Sequence, residues 1–80
     1  MNQNPILSDE LLDLIVCPID HQSLIYIDSE NVLFNDRLNK KYEVKNGIPV
    51  MLIEKAIDVD KETQEKYRAN ATRTTGPTNQ

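Results

Sequence analysis

Between residues 7 and 53 the apolar positions arrive in short, separated runs. Ser8 can cap a helix whose first turn carries Asp9 and Glu10, and Leu7, Leu11, Leu14 and Ile15 then recur at helical spacing. This predicts a short helix over residues 8–15. Pro18 cannot continue it, so CPID at 17–20 reads as a knuckle-like turn leading into a strand, LIYI, at 24–27. Asp28–Asn31 is turn-forming, VLF at 32–34 is a second strand, and KYEV at 41–44 is a third after the loop NDRLNK. Asn46-Gly47 between two apolar runs is a hairpin signal, because a two-residue turn needs positive φ and both residues tolerate it. The fourth strand is then IPVMLI at 48–53, placed at a sheet edge because Pro49 has no N–H to give to a ladder.

Beyond Ala56 the pattern fades. DKETQEKYRANA can form a lone helix anchored only by Val59, Tyr67 and Ile57, and TTGPTNQ reads as disordered. The pattern divides the chain into a domain at 1–57 and a polar, partly helical or disordered tail at 58–80. The expected fold is α+β: a short N-terminal helix on a small three- to four-stranded antiparallel sheet.

Length tightens this picture. Eighty residues make one domain, and a chain so short buries only roughly 60% of the surface its unfolded form exposes. Small domains often add a disulfide or a structural metal, but Cys17 is the only cysteine, which excludes an intrachain disulfide and suits a reducing compartment. No run approaches the roughly 20 apolar residues of a membrane span, and MNQNPILSDE lacks the basic flank and apolar run of a signal peptide. The expected location is the cytoplasm. Nine Lys and Arg against thirteen Asp and Glu give a net charge of −4, which repels phosphate backbones and argues against direct nucleic-acid binding. The basic run Arg37, Lys40, Lys41, Lys45 has only Tyr42 interleaved for stacking and reads as a solvated turn and strand face.

Few residues carry candidate chemistry. Cys17 and His21, four apart, could pair as an activated thiolate, but no third orienting group is in view and a free cysteine is commonly buried as a small hydrophobe. Cys17, Asp20 and His21 offer a thiolate, a carboxylate and an imidazole, whereas a structural zinc site takes four ligands rich in sulfur. Catalysis and zinc are therefore not expected.

The segments LLDLIVCPID and YEVKNGIPVMLIEKA carry a resemblance. They match the patterns L-L-x-x-[IL]-x-C-P-x-C and Y-x-[IV]-x-[DN]-G-I-P-V-[LM]-L, and over roughly residues 8–57 the chain resembles the YcaR-like family of small bacterial proteins. That family is related to the small zinc-ribbon subunit that activates methyltransferases. The resemblance implies a zinc-ribbon-like fold whose four ligand positions fall here on Cys17, Asp20, Asn35 and Leu38. Leucine cannot bind metal and asparagine binds zinc poorly, so the chain resembles a metal-free branch with no cofactor. Asp20 is expected to accept from knuckle N–H groups and from the Asn35 amide, Leu38 to extend the core, and Arg37 to stay in solvent.

The function implied is that of a non-catalytic interaction module. It would bind and stabilise or activate a protein partner such as an S-adenosylmethionine-dependent methyltransferase. An apolar edge strand could serve by strand addition, with Ile48, Val50, Met51 and Ile53 as partner-binding positions, while Val50 and Leu52 read equally as sheet core. The alternative is a self-associating structural protein, in which the same edge pairs with a second copy as a homodimer.

Overall fold

The computed structural model describes residues 7–76. The N-terminal MNQNPI, read above for leader features, and the final four residues of TTGPTNQ lie outside them. Among the described residues no helix is long and apolar enough to cross a membrane.

The architecture is α+β, as the hydrophobic pattern predicts. Helix α1 (Asp9–Leu12) is followed by strands β1 (Ile25–Ile27), β2 (Val32–Asn35), β3 (Lys40–Lys45) and β4 (Ile48–Pro49). A short 3-10 turn (Ile53–Lys55), β5 (Ile57–Asp58), helix α2 (Lys61–Ala69) and β6 (Arg73–Thr74) complete the described chain. The strands form one antiparallel sheet in the order β4-β3-β2-β1-β6, with β5 on the other end of β3.

Helix α1 is shorter than the predicted 8–15. Ser8 caps it by accepting from the Leu11 N–H, but the last bonds tighten to Leu14 on Leu11 and Ile15 on Leu12, and Leu14 points to solvent. The turns between strands rest on residues that tolerate positive φ: Asn31 at 59°, Asn39 at 59° and the Asn46-Gly47 pair at 54° and 76°. The last of these closes the predicted β3–β4 hairpin, with Lys45 opposite Ile48.

Strand alternation divides the core in two. Tyr26, Leu33 and Tyr42 face one another across β1, β2 and β3 and meet Leu7, Leu12, Ile15, Cys17, Leu24 and Val44. On the opposite face Ile27, Val32 and Phe34 pack with Val59 and Tyr67, and Ile25 joins them.

Several expectations are corrected. The sheet has six strands where three or four were expected, because residues beyond 56 return to it twice: Ile57 opposes Lys41, and Arg73 opposes Tyr26. The division at 57/58 therefore falls inside β5, and the polar segment behind it is built into the same sheet. Its helix forms where expected, capped by Asp60 on the Thr63 N–H and anchored by Val59 and Tyr67, but Ile57 is exposed. Thr74, Thr75 and Gly76, expected to be disordered, are ordered. Buried Thr75 receives the Leu24 N–H on its Oγ1 at 2.8 Å, and the Gly76 N–H donates to Leu12 O. Finally, IPVMLI is not a six-residue strand. β4 stops at Pro49, Val50 gives a last N–H to Glu43, and the chain bulges away through the 3-10 turn before rejoining β3 as β5.

Candidate partner-docking site and the CPID knuckle

The knuckle is closed by backbone bonds from the Cys17 N–H to Gln22 O (2.9 Å) and from the His21 N–H to Cys17 O (2.8 Å), with His21 at φ 61°. Its side chains form a connected polar network. Asp20 accepts from the Gln22 N–H and, with both oxygens, from the Asn35 amide at 3.3 Å. Asn35 is fully buried, and its own Oδ1 accepts from the N–H groups of Arg37 and Leu38 at 2.9 and 3.0 Å. Arg37 reaches across the knuckle, donating from Nε to Asp20 Oδ2 at 2.8 Å and from Nη2 to Ser23 O at 2.7 Å. The Arg37 guanidinium holds the Asp20 carboxyl far below the usual carboxylate range against the opposing pull of desolvation, with the Gln22 and Asn35 donors adding to it. Arg37 is thus a member of the network, where a solvent role was expected. Leu38 is 37% exposed, so its assignment to the core is also corrected.

Cys17 Sγ is buried, facing the Tyr42 hydroxyl at 3.2 Å and accepting from the Ile19 N–H at 3.4 Å. Burial, reinforced by Cys17, pushes the Tyr42 hydroxyl pKa up. His21 is exposed, and the Cys17 thiol is turned toward Tyr42 rather than toward an imidazole.

The four positions matching zinc ligands in the resembling family do not fit a metal. Leu38 has no donor atom, the Asn35 oxygen is taken by two N–H groups, and the Asp20 carboxylate is taken by Arg37, Asn35 and Gln22. Among the described residues no group of three or more His, Cys, Asp or Glu is placed to hold a metal ion.

The four positions singled out for partner binding differ in burial. Ile48 is 66% exposed and Ile53 58%, whereas Val50 and Met51 are half-buried and Met51 packs against the larger core cluster. Leu52, assigned above to the core, is 49% exposed, and Ile57 is exposed as well. The reversal follows from the chain leaving the sheet at Pro49, after which strand alternation no longer sets which side chains face inward. Beneath the bulge lies a cleft of about 290 Å³ lined by Glu43, Lys45, Val50, Glu54, Lys55, Ala56 and Ile57. Of the exposed apolar residues Ile57 lines this cleft, and Ile48, Leu52 and Ile53 are exposed along the same segment of chain. β4 is the terminal strand of the sheet, but it offers only two residues, Ile48 and Pro49, to an added strand before the chain leaves the sheet. Sequence reasoning missed Leu52 and Ile57; the early exit at Pro49 was the signal.

Comparison with known proteins places this chain. No protein-family model matches it. A UPF0434 protein of Rhizobium rhizogenes is 43% identical over 47 residues, which are 59% of this chain and 76% of that protein. The chain belongs to the UPF0434 family. The UPF0434 assignment agrees with a solved fold: the solution NMR structure of an uncharacterised protein is 42% identical, with a TM-score of 0.60 over 69% of this chain and 90% of its own. A mitochondrial preY protein of Xenopus tropicalis is 40% identical over 52 residues, 65% of this UPF0434 chain and 43% of that protein.

Proposed function

We propose that this chain is a non-catalytic interaction module that binds a protein partner and stabilises or activates it, the partner being an S-adenosylmethionine-dependent methyltransferase. The single observation that carries the reading is the segment 48–57, which leaves Ile48, Leu52, Ile53 and Ile57 exposed and contributes Val50, Glu54, Lys55, Ala56 and Ile57 to a cleft. Four large apolar side chains exposed on one short segment, with Lys45, Glu54 and Lys55 lining the cleft beside it, suit a protein-binding surface with a polar border. Docking is by side chains entering partner pockets, with Ile48 and Ile53 as anchors and Met51 as the residue that holds the bulge on the core. The methyltransferase as partner rests on the YcaR-like resemblance carried by LLDLIVCPID and YEVKNGIPVMLIEKA. The knuckle network supports a scaffold role, since its polar groups are spent on one another and on backbone.

The test is affinity capture of the tagged full chain from its native lysate at moderate salt, followed by mass spectrometry. A methyltransferase recovered in stoichiometric amount, and lost from the Ile53→Asp variant, is the expected result. Recovery of the bait alone as a dimer overturns the methyltransferase reading in favour of self-association.

A further inference from the structure

The β3–β4 hairpin turns on two residues, Asn46 at φ 54° and Gly47 at φ 76°, and its closing pair is Lys45 opposite Ile48. In so tight a turn the ladder bonds belong to the flanking pair, which leaves the Gly47 N–H without a strand partner. Among the described residues no backbone carbonyl accepts from it. Asn46 is exposed, and β4 holds only two residues beyond the turn, so this end of the sheet belongs to the parts of the fold that open locally.

This turn brings an electrophile and a nucleophile into neighbouring residues. The Asn46 side-chain carbonyl carbon, Cγ, and the Gly47 backbone nitrogen are separated by the few bonds that close into a five-membered ring, so the reaction between them is intramolecular and gains the advantage of proximity. Gly47 carries no Cβ to crowd the approach, and its freedom in φ lets the peptide plane rotate toward the side chain when the turn opens. Asn39 makes the contrast. It shares the exposure and the positive φ of 59°, but its successor Lys40 carries a Cβ and is paired within β3 to Asn35 and Asp58. Asn70 is exposed as well and precedes Ala71, which also bears a Cβ.

We propose that Asn46 is a self-modifying site, whose carboxamide cyclises onto the Gly47 nitrogen and is then opened by water to aspartate or isoaspartate. In the first step the Gly47 N–Cγ bond forms and the Cγ–Nδ2 bond breaks; Nδ2 takes the Gly47 amide proton and leaves as ammonia, and a succinimide remains. Water then adds to one of the two ring carbonyls. Opening at Cγ gives aspartate, opening at the main-chain carbonyl gives isoaspartate, and no electrons are transferred in either step. Aspartate adds a negative charge beside Lys45. Isoaspartate runs the backbone through Cβ and Cγ, which lengthens the two-residue turn and displaces the pairing of Lys45 with Ile48. On the reading of residues 48–57 as the docking segment this moves Ile48, while the chemistry itself does not rest on that reading.

The test ages the native full chain in warm, mildly alkaline buffer and maps its peptides by mass spectrometry, with the aspartyl and isoaspartyl forms separated by chromatography. Asn46 should convert at least about tenfold faster than Asn39 or Asn70, a ratio equal to about 1.4 kcal/mol of barrier. Isoaspartate should be among the products, since only ring opening makes it. The Asn46→Gly variant keeps a residue pair that this turn accepts, and its hairpin peptide should gain no mass. A second sample held in denaturant gives the rate of the open chain. If Asn46 reacts fastest there but no faster than Asn39 and Asn70 in the native protein, the closed hairpin holds the carboxamide away from its nucleophile and the proposal fails. It fails equally if aspartate forms without isoaspartate, because direct hydrolysis would then have replaced the ring.

Discussion

Arg37 and Asp20 meet across the CPID knuckle with Nε and Oδ2 at 2.8 Å, and the same guanidinium also holds Ser23 O, so one side chain joins the β2–β3 turn to the knuckle and to the chain leaving it. In the folded chain the Asp20 carboxyl lies far below its usual range, chiefly through Arg37. In the unfolded chain it titrates near pH ~3.9. The unfolded state then binds the extra proton, so the stability from this pair is fully present above pH ~4 and is lost as pH falls toward the depressed folded value. Denaturant titrations between pH 2 and pH 7 should show this acid weakening in the native protein and a shallower pH dependence in Asp20→Asn. Equal slopes in the two proteins would remove Asp20 from the account.

Asn35 should matter at every pH. Its buried side chain satisfies two backbone N–H groups and reaches Asp20. Asn35→Ala strands those donors beside the knuckle and should cost about 1–3 kcal/mol in chemical denaturation. A double-mutant cycle of Asn35→Ala with Arg37→Ala should give a non-zero coupling energy, because the two share Asp20.

Tyr42 should produce the opposite pH signature. Burial first, and Cys17 second, raise its hydroxyl pKa in the folded chain, while the unfolded residue ionises near pH ~10. The native state keeps its proton longer, so this contribution is intact below pH ~10 and declines as pH rises above it. Tyr42→Phe should cost about 1 kcal/mol at neutral pH, from the lost contact with Cys17, and should flatten the alkaline decline. Cys17, buried behind Tyr42, should react with a thiol reagent only as fast as the native protein opens.

How much was legible in the sequence depends on whether neighbouring residues decide a feature. The Ser8 cap, the Asn46-Gly47 hairpin and the α2 helix were readable because capping, positive φ and helix propensity act over a few positions. The contact of Asp20 with Asn35 was expected from aligned ligand positions, but Arg37 was set aside because nothing local shows that the β2–β3 turn folds over the knuckle. The pairing of Arg73 with Tyr26 was invisible for the same reason: a two-residue strand has no period, and its partner lies far back in the chain. At Pro49 the sequence held the clue that the strand would end, yet the apolar run VMLI behind it suggested continuation. The bulge then exchanged the places of Met51 and Leu52.

That exchange makes a sharp prediction. Ile53 stands 58% exposed on the bulge, whereas Met51 packs on the core formed around Leu12, Tyr42 and Val44. Ile53→Asp exposes a charge where an apolar side chain already meets water, and it should change unfolding free energy by no more than about 0.5 kcal/mol. Met51→Asp drives a carboxylate toward an apolar cluster and should cost several times more, about 2 kcal/mol or above. Denaturant midpoints of the two variants decide the matter. If Ile53→Asp destabilises as much as Met51→Asp, the bulge is core and cannot be the free surface on which a partner docks. If Ile53→Asp is neutral and still abolishes partner capture, the lost affinity reports the docking surface itself rather than a damaged fold.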